Sequence, residues 1–141
     1  MRVLVDTPIW SLALRRKQEV LSADQLRLVA ELSDLIEEGR VCLIGPIRQE
    51  VLSGIRNEAA FEFVRERLAG FDDEPLAAAD YEEAGRLFNV LRARGIVGSP
   101  TDLLLCAVAT RRRYPLFTAD TDFSRYVCHS PLQLYLARRR R

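Results

Sequence analysis

Histidine is nearly absent from this sequence: His129 stands alone among 141 residues. A mechanism that needs two imidazoles as acid and base is thereby excluded, and so is a zinc site built on several histidines. Lysine is equally scarce. Lys17 is the only one and follows no glycine-rich loop, which excludes a phosphate-cradling P-loop. No Gly-x-Ser-x-Gly elbow occurs, and a serine triad would have to draw on His129 near the C-terminal end. Cys42, Cys106 and Cys128 lack the close spacings of zinc or redox pairs and read as buried free thiols in a reducing compartment. The start lacks a signal peptide's layout, and no stretch approaches the roughly 18 apolar residues of a membrane span. A cytoplasmic protein with no membrane partner is expected, with carboxylates as its remaining catalytic groups.

Enough chain is present to bury an ordinary core without disulfides or a structural metal, so a single domain over residues 1–141 is expected. Formal net charge is +1, and since Lys17 is the sole lysine, the other 20 of the 21 basic residues are Arg. Arg forks grip phosphate at two points and stack on bases, so the bias leans towards a nucleic-acid partner, although high-GC codon usage produces the same count.

The opening Val3-Leu4-Val5 is a short unbroken apolar run, the pattern of a parallel strand covered on both faces, and Asp6 stands where it stops. Thr7 as cap and Pro8 at the first helical position predict a helix to about Lys17, with Ile9, Leu12 and Trp10 as the candidates to turn inward. Ser22-Ala23-Asp24-Gln25 is a capping-box pattern, followed by Leu26, Val29, Ala30, Leu32, Leu35 and Ile36 at helical spacing up to Gly39. Val41 to Ile44 repeats the strand signal, and Gly45-Pro46 opens a helix carrying Ile47, Glu50, Val51 and Ile55. Further helices are predicted over Glu58 to Leu68, from a capping box at Asp80-Tyr81-Glu82-Glu83 to Gly95, and from Thr101 to about Arg113. The last is so apolar from Leu103 to Ala109 that it must be buried. A short edge strand is expected near Leu76, a strand at Pro115 to Thr118 and a final one at Tyr126-Val127-Cys128. Arg138 to Arg141 reads as a mobile basic tail.

Strands alternating with helices predict an α/β fold, a three-layer α/β/α arrangement with a central parallel sheet flanked by helices. Ligands bind such sheets at the carboxyl edge of the strands. Asp6 and Asp120 lie at strand ends, while Glu50 and Asp102 lie near the starts of helices that begin at the same edge, so topology alone gathers four acids on one rim. Singly, each has an ordinary role as a cap, a dipole partner, a solvated surface acid or a turn residue. Together they are costly, because two carboxylates about 5 Å apart repel by roughly 3 kcal/mol at an effective dielectric near 20. A cation is expected among them. Arg48 or Arg125 could supply it, but a hard divalent ion, Mg2+ or Mn2+, suits an all-oxygen set better. Such an ion acidifies bound water and stabilises charge on a phosphodiester, which is nuclease chemistry. Asp122 could join as an outer ligand or cap the turn into Phe123. Thr118 could offer its hydroxyl to metal-bound water or to substrate, or be an ordinary strand residue.

Four stretches carry a resemblance. Val3-Leu4-Val5-Asp6-Thr7-Pro8-Ile9-Trp10-Ser11, Arg48-Gln49-Glu50-Val51-Leu52-Ser53-Gly54-Ile55, Thr101-Asp102-Leu103-Leu104-Leu105-Cys106-Ala107-Val108-Ala109 and Leu116-Phe117-Thr118-Ala119-Asp120-Thr121-Asp122-Phe123 resemble, in order and spacing, the acidic motifs of PIN-domain proteins. The match is nearest to VapC-type ribonuclease toxins of type II toxin-antitoxin systems and spans nearly the whole chain. Pro8, where small residues such as serine are frequent, departs from the pattern. The resemblance implies a Mg2+- or Mn2+-dependent endoribonuclease with Asp6, Glu50, Asp102 and Asp120 as the acidic site and Asp122 as an additional acid. It implies cleavage of RNA, often tRNA or rRNA, by metal-activated water, leaving 5′-phosphate and 3′-hydroxyl ends. It also implies a homodimer and inhibition by a cognate VapB-type antitoxin. Basic rim residues are then candidates to guide RNA: Arg15, Arg16, Lys17, Arg48, Arg92, Arg94, Arg125 and the Arg tail. Trp10, Leu14 and Leu28 could line an apolar groove for an antitoxin helix, although such residues more often belong to the core.

Rival classes make distinct demands. A phospho-receiver domain also gathers acids at a sheet edge but needs a lysine opposite them, and Lys17 falls in or after the first helix. A phosphatase of the haloacid-dehalogenase type would claim Asp120-x-Asp122 but places such acids after the first strand. A catalytically silent PIN-like binding module would have lost an acid, and all four are here. A flap-type DNA nuclease needs a longer chain.

Overall fold

The computed structural model describes residues 1–138. Strand β1 (Val3–Val5) lies between β2 (Val41–Cys42) and β3 (Leu116–Phe117) in a three-stranded parallel sheet of order β2-β1-β3. Val3 pairs with Val41 and Leu4 with Cys42 on one side, Leu4 with Leu116 and Val5 with Phe117 on the other. Every strand residue is buried, as continuous apolar runs with helices on both faces require. One further parallel bridge extends each edge, Leu43 to Asp73 beside β2 and Leu116 to Leu134 beside β3. The edge pairing expected near Leu76 thus falls at Asp73: Pro75 has no N–H to donate, so the ladder stops before it.

The helices are α1 (Thr7–Leu14), α2 (Ala23–Glu37), α3 (Gly45–Leu52), α4 (Glu58–Leu68), α5 (Ala78–Arg92), α6 (Pro100–Arg112) and α7 (Phe123–Val127), with a 3-10 turn at Gln18–Val20. Helix α1 packs on α2 and α3, α3 on α4, and α5 along α6. Residues Leu103 to Ala109 are all buried, as the composition of α6 demands. No helix of the described residues is long and apolar enough to cross a membrane.

Several expectations are corrected. Helix α1 ends at Leu14 rather than near Lys17, and its cap is Asp6, not Thr7. Helix α5 begins at Ala78, so Asp80 occupies its third position instead of capping it, and its carboxylate accepts the Ala77 N–H at 2.8 Å. The strand predicted at Tyr126-Val127-Cys128 is the end of α7. Phe123 and Tyr126, three residues apart, share one helical face, where both are buried and their rings meet edge to face at 5.2 Å. Cys128 is exposed, whereas Cys42 and Cys106 are buried. Trp10 is only 1% exposed and packs edge to face on Phe71, so it belongs to the core and not to an open groove. On α2, Leu26 and Ile36 are part-exposed, and the buried set is Leu32, Leu35 and a charged residue, Glu31.

Glu31 explains another difference. It accepts hydrogen bonds from the Tyr135 hydroxyl and from the Arg138 guanidinium, which also pairs with Glu38 at 2.8 Å. Arg138, expected in a mobile tail, is therefore strapped to α2; Arg139 to Arg141 lie outside the described residues.

Candidate functional site

The chain leaves β1 at Val5 and enters α1 at Thr7, so Asp6 is held from both sides. Its N–H donates to the Phe117 carbonyl of β3 at 2.9 Å, and its carbonyl accepts from Ile9 at 3.2 Å in the first turn of α1. The side chain is equally fixed. Oδ1 accepts the Thr7 N–H at 2.7 Å and Oδ2 accepts the Thr118 hydroxyl at 2.7 Å. Thr118 in turn accepts the Asp120 N–H at 3.0 Å, and Asp120 Oδ1 accepts the Asp122 N–H at 2.9 Å. One hydrogen-bonded chain thus runs from the end of β1 to the turn after β3. Thr118 is an organiser of the acids, not only a strand residue.

Asp102 arrives from a third direction. Ser99 caps α6, accepting the Asp102 N–H at 3.1 Å, and places the carboxylate in the first helical turn. Glu50 comes from α3, whose start is set by Pro46 and has no side-chain cap, and it is exposed. The charges feel one another. Burial raises the Asp6 pKa from 3.8 to about 6; the Thr118 and Thr7 hydrogen bonds oppose the rise, and the charges of Asp102 and Glu50 add to it. Asp102 is also raised, first by burial and then by the charge of Asp120, with Glu50 and Asp122 contributing and the Ser99 hydroxyl pulling the other way.

The expected arginines behave differently from one another. Arg48 does not join the acids: its guanidinium donates to the Leu68 carbonyl at 2.8 Å and the Phe71 carbonyl, and pairs with Asp73 at 2.9 Å. It pins α3 to the segment after α4, because three acceptors converge there. Arg125 reaches Asp122 at 3.5 Å, on the exposed side. No arginine or lysine is among the hydrogen-bond partners of Asp6 or Asp102 in the described residues.

Sequence reading missed two close neighbours. Tyr126 lies near the acids, its phenol raised to about 12 by burial and then by Asp102 and Asp122. A Cβ on Gly98 would come within 2.9 Å of the Tyr126 hydroxyl and 3.1 Å of Leu103 Cδ2, so the loop leading into α6 needs glycine there. The i, i+3 spacing of Phe123 and Tyr126 was the available signal. The buried Cys106 thiol is pushed up by burial and by Asp102 and Asp6, so it stays protonated at neutral pH.

The donor set is all oxygen, carries unbalanced negative charge and offers no imidazole, which fits a hard divalent cation. Among the described residues no three such side chains converge closely enough to cage an ion. That spread suits Mg2+, which keeps several waters and uses only one or two carboxylates. An apolar cavity of about 420 Å3 opens between α3, α5 and α6, where Tyr81 and Phe88 face Pro46 and Pro100, and no charged side chain among the described residues lines it. The acidic rim lies beside it, where Asp102 follows Thr101 of its lining.

No curated protein matches this chain. Among solved structures, it is similar in fold to a chain of the VapBC2 complex of Rickettsia felis bound to a promoter DNA fragment, with TM-score 0.74 and 18% identity over 96% of this chain and 98% of that one. A chain of the FitAcB structure from Neisseria gonorrhoeae gives TM-score 0.71 and 22% identity, covering 96% and 97%. A toxin-antitoxin complex from Klebsiella pneumoniae gives TM-score 0.62 and 18% identity, covering 86% and 90%. The PIN domain model matches residues 3–127, the stretch that runs from β1 to the last residue of α7 and contains every acid of the rim. With sheet order, acidic edge and family model in agreement over most of its length, the chain belongs to the PIN domain family.

Proposed function

We propose that this chain is a Mg2+- or Mn2+-dependent endoribonuclease, the toxin of a VapBC-type type II toxin-antitoxin pair, acting in the cytoplasm. Residues 1–141 are assigned to a single domain. Asp6, Glu50, Asp102 and Asp120 are its acidic site, with Asp122 as an outer member and Thr118 and Arg125 on the substrate side. The observation that carries this reading is that burial at the sheet edge, and then the charges of acids from separate segments, raise the pKa of Asp6 and of Asp102, while no basic side chain among the described residues bonds to either. A cation supplied from outside the described residues would balance such a set. That one similar structure is a toxin-antitoxin complex and another a VapBC2 complex supports an antitoxin partner. A homodimer and a tRNA or rRNA substrate complete the proposal.

The chain's own residues divide the work. Thr118 and the Thr7 N–H hold the Asp6 carboxylate in one rotamer, so it meets an ion without reorganising in each turnover. Asp102, presented by the capped start of α6, offers the second fixed oxygen donor. A divalent ion bound there would acidify water and stabilise charge on the scissile phosphate. Glu50 is exposed and has no hydrogen-bond partner among the described residues, so its carboxylate is free to accept the proton of the attacking water.

The test is cleavage of a mixed tRNA and rRNA pool by the purified protein with Mg2+, with Mn2+, with EDTA, and by Asp6→Asn and Asp102→Asn. Discrete products that vanish with EDTA and in both folded variants are expected. Cleavage that survives both substitutions overturns the site. Absence of any cleavage, with the ion nonetheless bound in calorimetry, makes the chain a silent PIN-type binding module.

A further inference from the structure

The basic side chains of this molecule divide into those with partners and those without. Arg48, Arg111, Arg112 and Arg138 are all committed to carboxylates. Arg15, Arg16, Lys17 and Arg56 are exposed and have neither an ion pair nor a side-chain hydrogen bond among the described residues. They are also close together. Arg15 caps the C-terminal end of α1, and a Cβ on Gly54 would stand 3.9 Å from its Nη2, so the guanidinium lies over the turn that follows α3. Gly54 has φ +87°, a left-handed conformation that keeps this turn tight and side-chain-free beneath Arg15. Arg56 is two residues further along the turn, and Arg16 and Lys17 continue from Arg15. Glu19 and Glu58 are the acids nearest in sequence, and among the described residues neither is ion-paired to the cluster.

The position relative to the acids is set by the helices. Glu50 lies in α3 and precedes Gly54 by four residues, the last two beyond the helix, and Asp6 caps the opposite end of α1, nine residues and about 14 Å from Arg15 at 1.5 Å per residue. At roughly 3.4 Å per stacked nucleotide, that separation is about four phosphates along a strand. Four unpaired cations one helix length, about 14 Å, from an acidic edge form a site for a polyanion that must pass from one to the other. We propose that Arg15, Arg16, Lys17 and Arg56 hold the phosphodiester backbone of the RNA strand on the Glu50 side of the acidic rim. RNA as the occupant rests on the nuclease reading above; the anion site itself rests on charge and geometry.

Binding of a labelled single strand of about 20 nucleotides, followed by fluorescence anisotropy in EDTA between about 50 and 200 mM salt, tests this. Replacing the four by Gln keeps the side-chain stems. The variant is expected to bind at least about tenfold more weakly, with the slope of log K against log salt shallower by about 0.7 for each phosphate no longer neutralised. A control pair elsewhere on the surface, Arg67→Gln with Arg113→Gln, should match the wild type. If the fourfold variant loses its circular dichroism signal, Arg16→Gln with Lys17→Gln, both outside any helix, gives the same reading at half the effect. An unchanged slope overturns the proposal, as does a wild type that binds no RNA. Loss of binding to poly-glutamate with RNA affinity intact also overturns it, assigning the cluster to an acidic polypeptide. Metal-dependent cleavage with an unchanged slope sinks the track alone. A shallower slope without any cleavage by the wild type sinks the nuclease reading alone.

Discussion

Because Asp6 is buried at the end of β1 and faces other carboxylates, its negative charge works against the fold. In the unfolded chain it titrates at its ordinary value of 3.8, and in the folded protein at about 6. The folded state therefore favours the protonated acid. That contribution to stability is whole below about pH 4 and is lost as pH rises through 6. Asp6→Asn is expected to stabilise the metal-free protein at pH 7 by on the order of 1 to 3 kcal/mol, several degrees in Tm, and by almost nothing below pH 4. Thermal melts of both proteins across pH 3.5 to 7.5, in EDTA, check this; a gain that does not depend on pH refutes the electrostatic cause. At this scale the sequence was informative about which acids meet. It was silent on Thr118 as the hinge between two of them, because a strand threonine looks the same whether or not a carboxylate lies opposite.

Helix α6 is positioned at both ends, and so the place of Asp102 is a property of two elements. At the near end stands the Ser99 cap. At the far end, Arg111 and Arg112 reach Asp80 at 2.6 and 2.8 Å, and Asp80, fully buried, also accepts the N–H of Ala77 at the start of α5. Arg112 continues to Glu74 at 3.1 Å and to the Pro75 carbonyl at 2.8 Å. The clamp locks α5 antiparallel to α6. The Arg112 guanidinium above all holds the Asp80 carboxyl well below the usual carboxylate range, so its stabilisation is present above pH 4 and is lost only in strong acid. Asp80→Asn is expected to cost about 3 kcal/mol, read as a lower urea midpoint at pH 7, since it leaves arginines facing a site with no charge. A midpoint unchanged from the wild type would mean that the clamp does not stabilise the fold. Asp80 looked like a helix cap in the sequence; only the packing of α5 on α6 turned it into a buried counter-ion.

Over the whole molecule, the sheet is narrow, and its outer edge beside β3 is closed by the last described residues. Leu116 donates to the Gln133 carbonyl at 2.9 Å and accepts from the Tyr135 N–H at 2.7 Å, Leu132 is buried, and Tyr135 rests edge to face on Phe117 at 5.4 Å. Tyr135 and Arg138 then bond to Glu31. This strap lies beyond the stretch matched by the family model, yet it covers an edge that would otherwise present unpaired backbone groups. Removing residues 132–141 is expected to lower the Tm markedly and to promote aggregation, while Tyr135→Phe costs about 1 kcal/mol. Melting with light scattering measures both; a shortened chain that melts like the full one would show that the strap adds no stability.

The sequence by itself determined the alternation of strands and helices, the burial of α6 and the gathering of Asp6, Glu50, Asp102 and Asp120 towards one edge. Those features follow from local periodicity, caps and the handedness of parallel crossovers, all of which operate over a few residues or obey a general topological rule. Only the tertiary structure decided that Arg48 serves the segment after α4, that Trp10 is core, that Arg138 is strapped down and that Arg15 meets the turn at Gly54. Each of these depends on a partner far away in sequence, chosen by the packing of helices, and an arginine carries no local mark of the acid it will find.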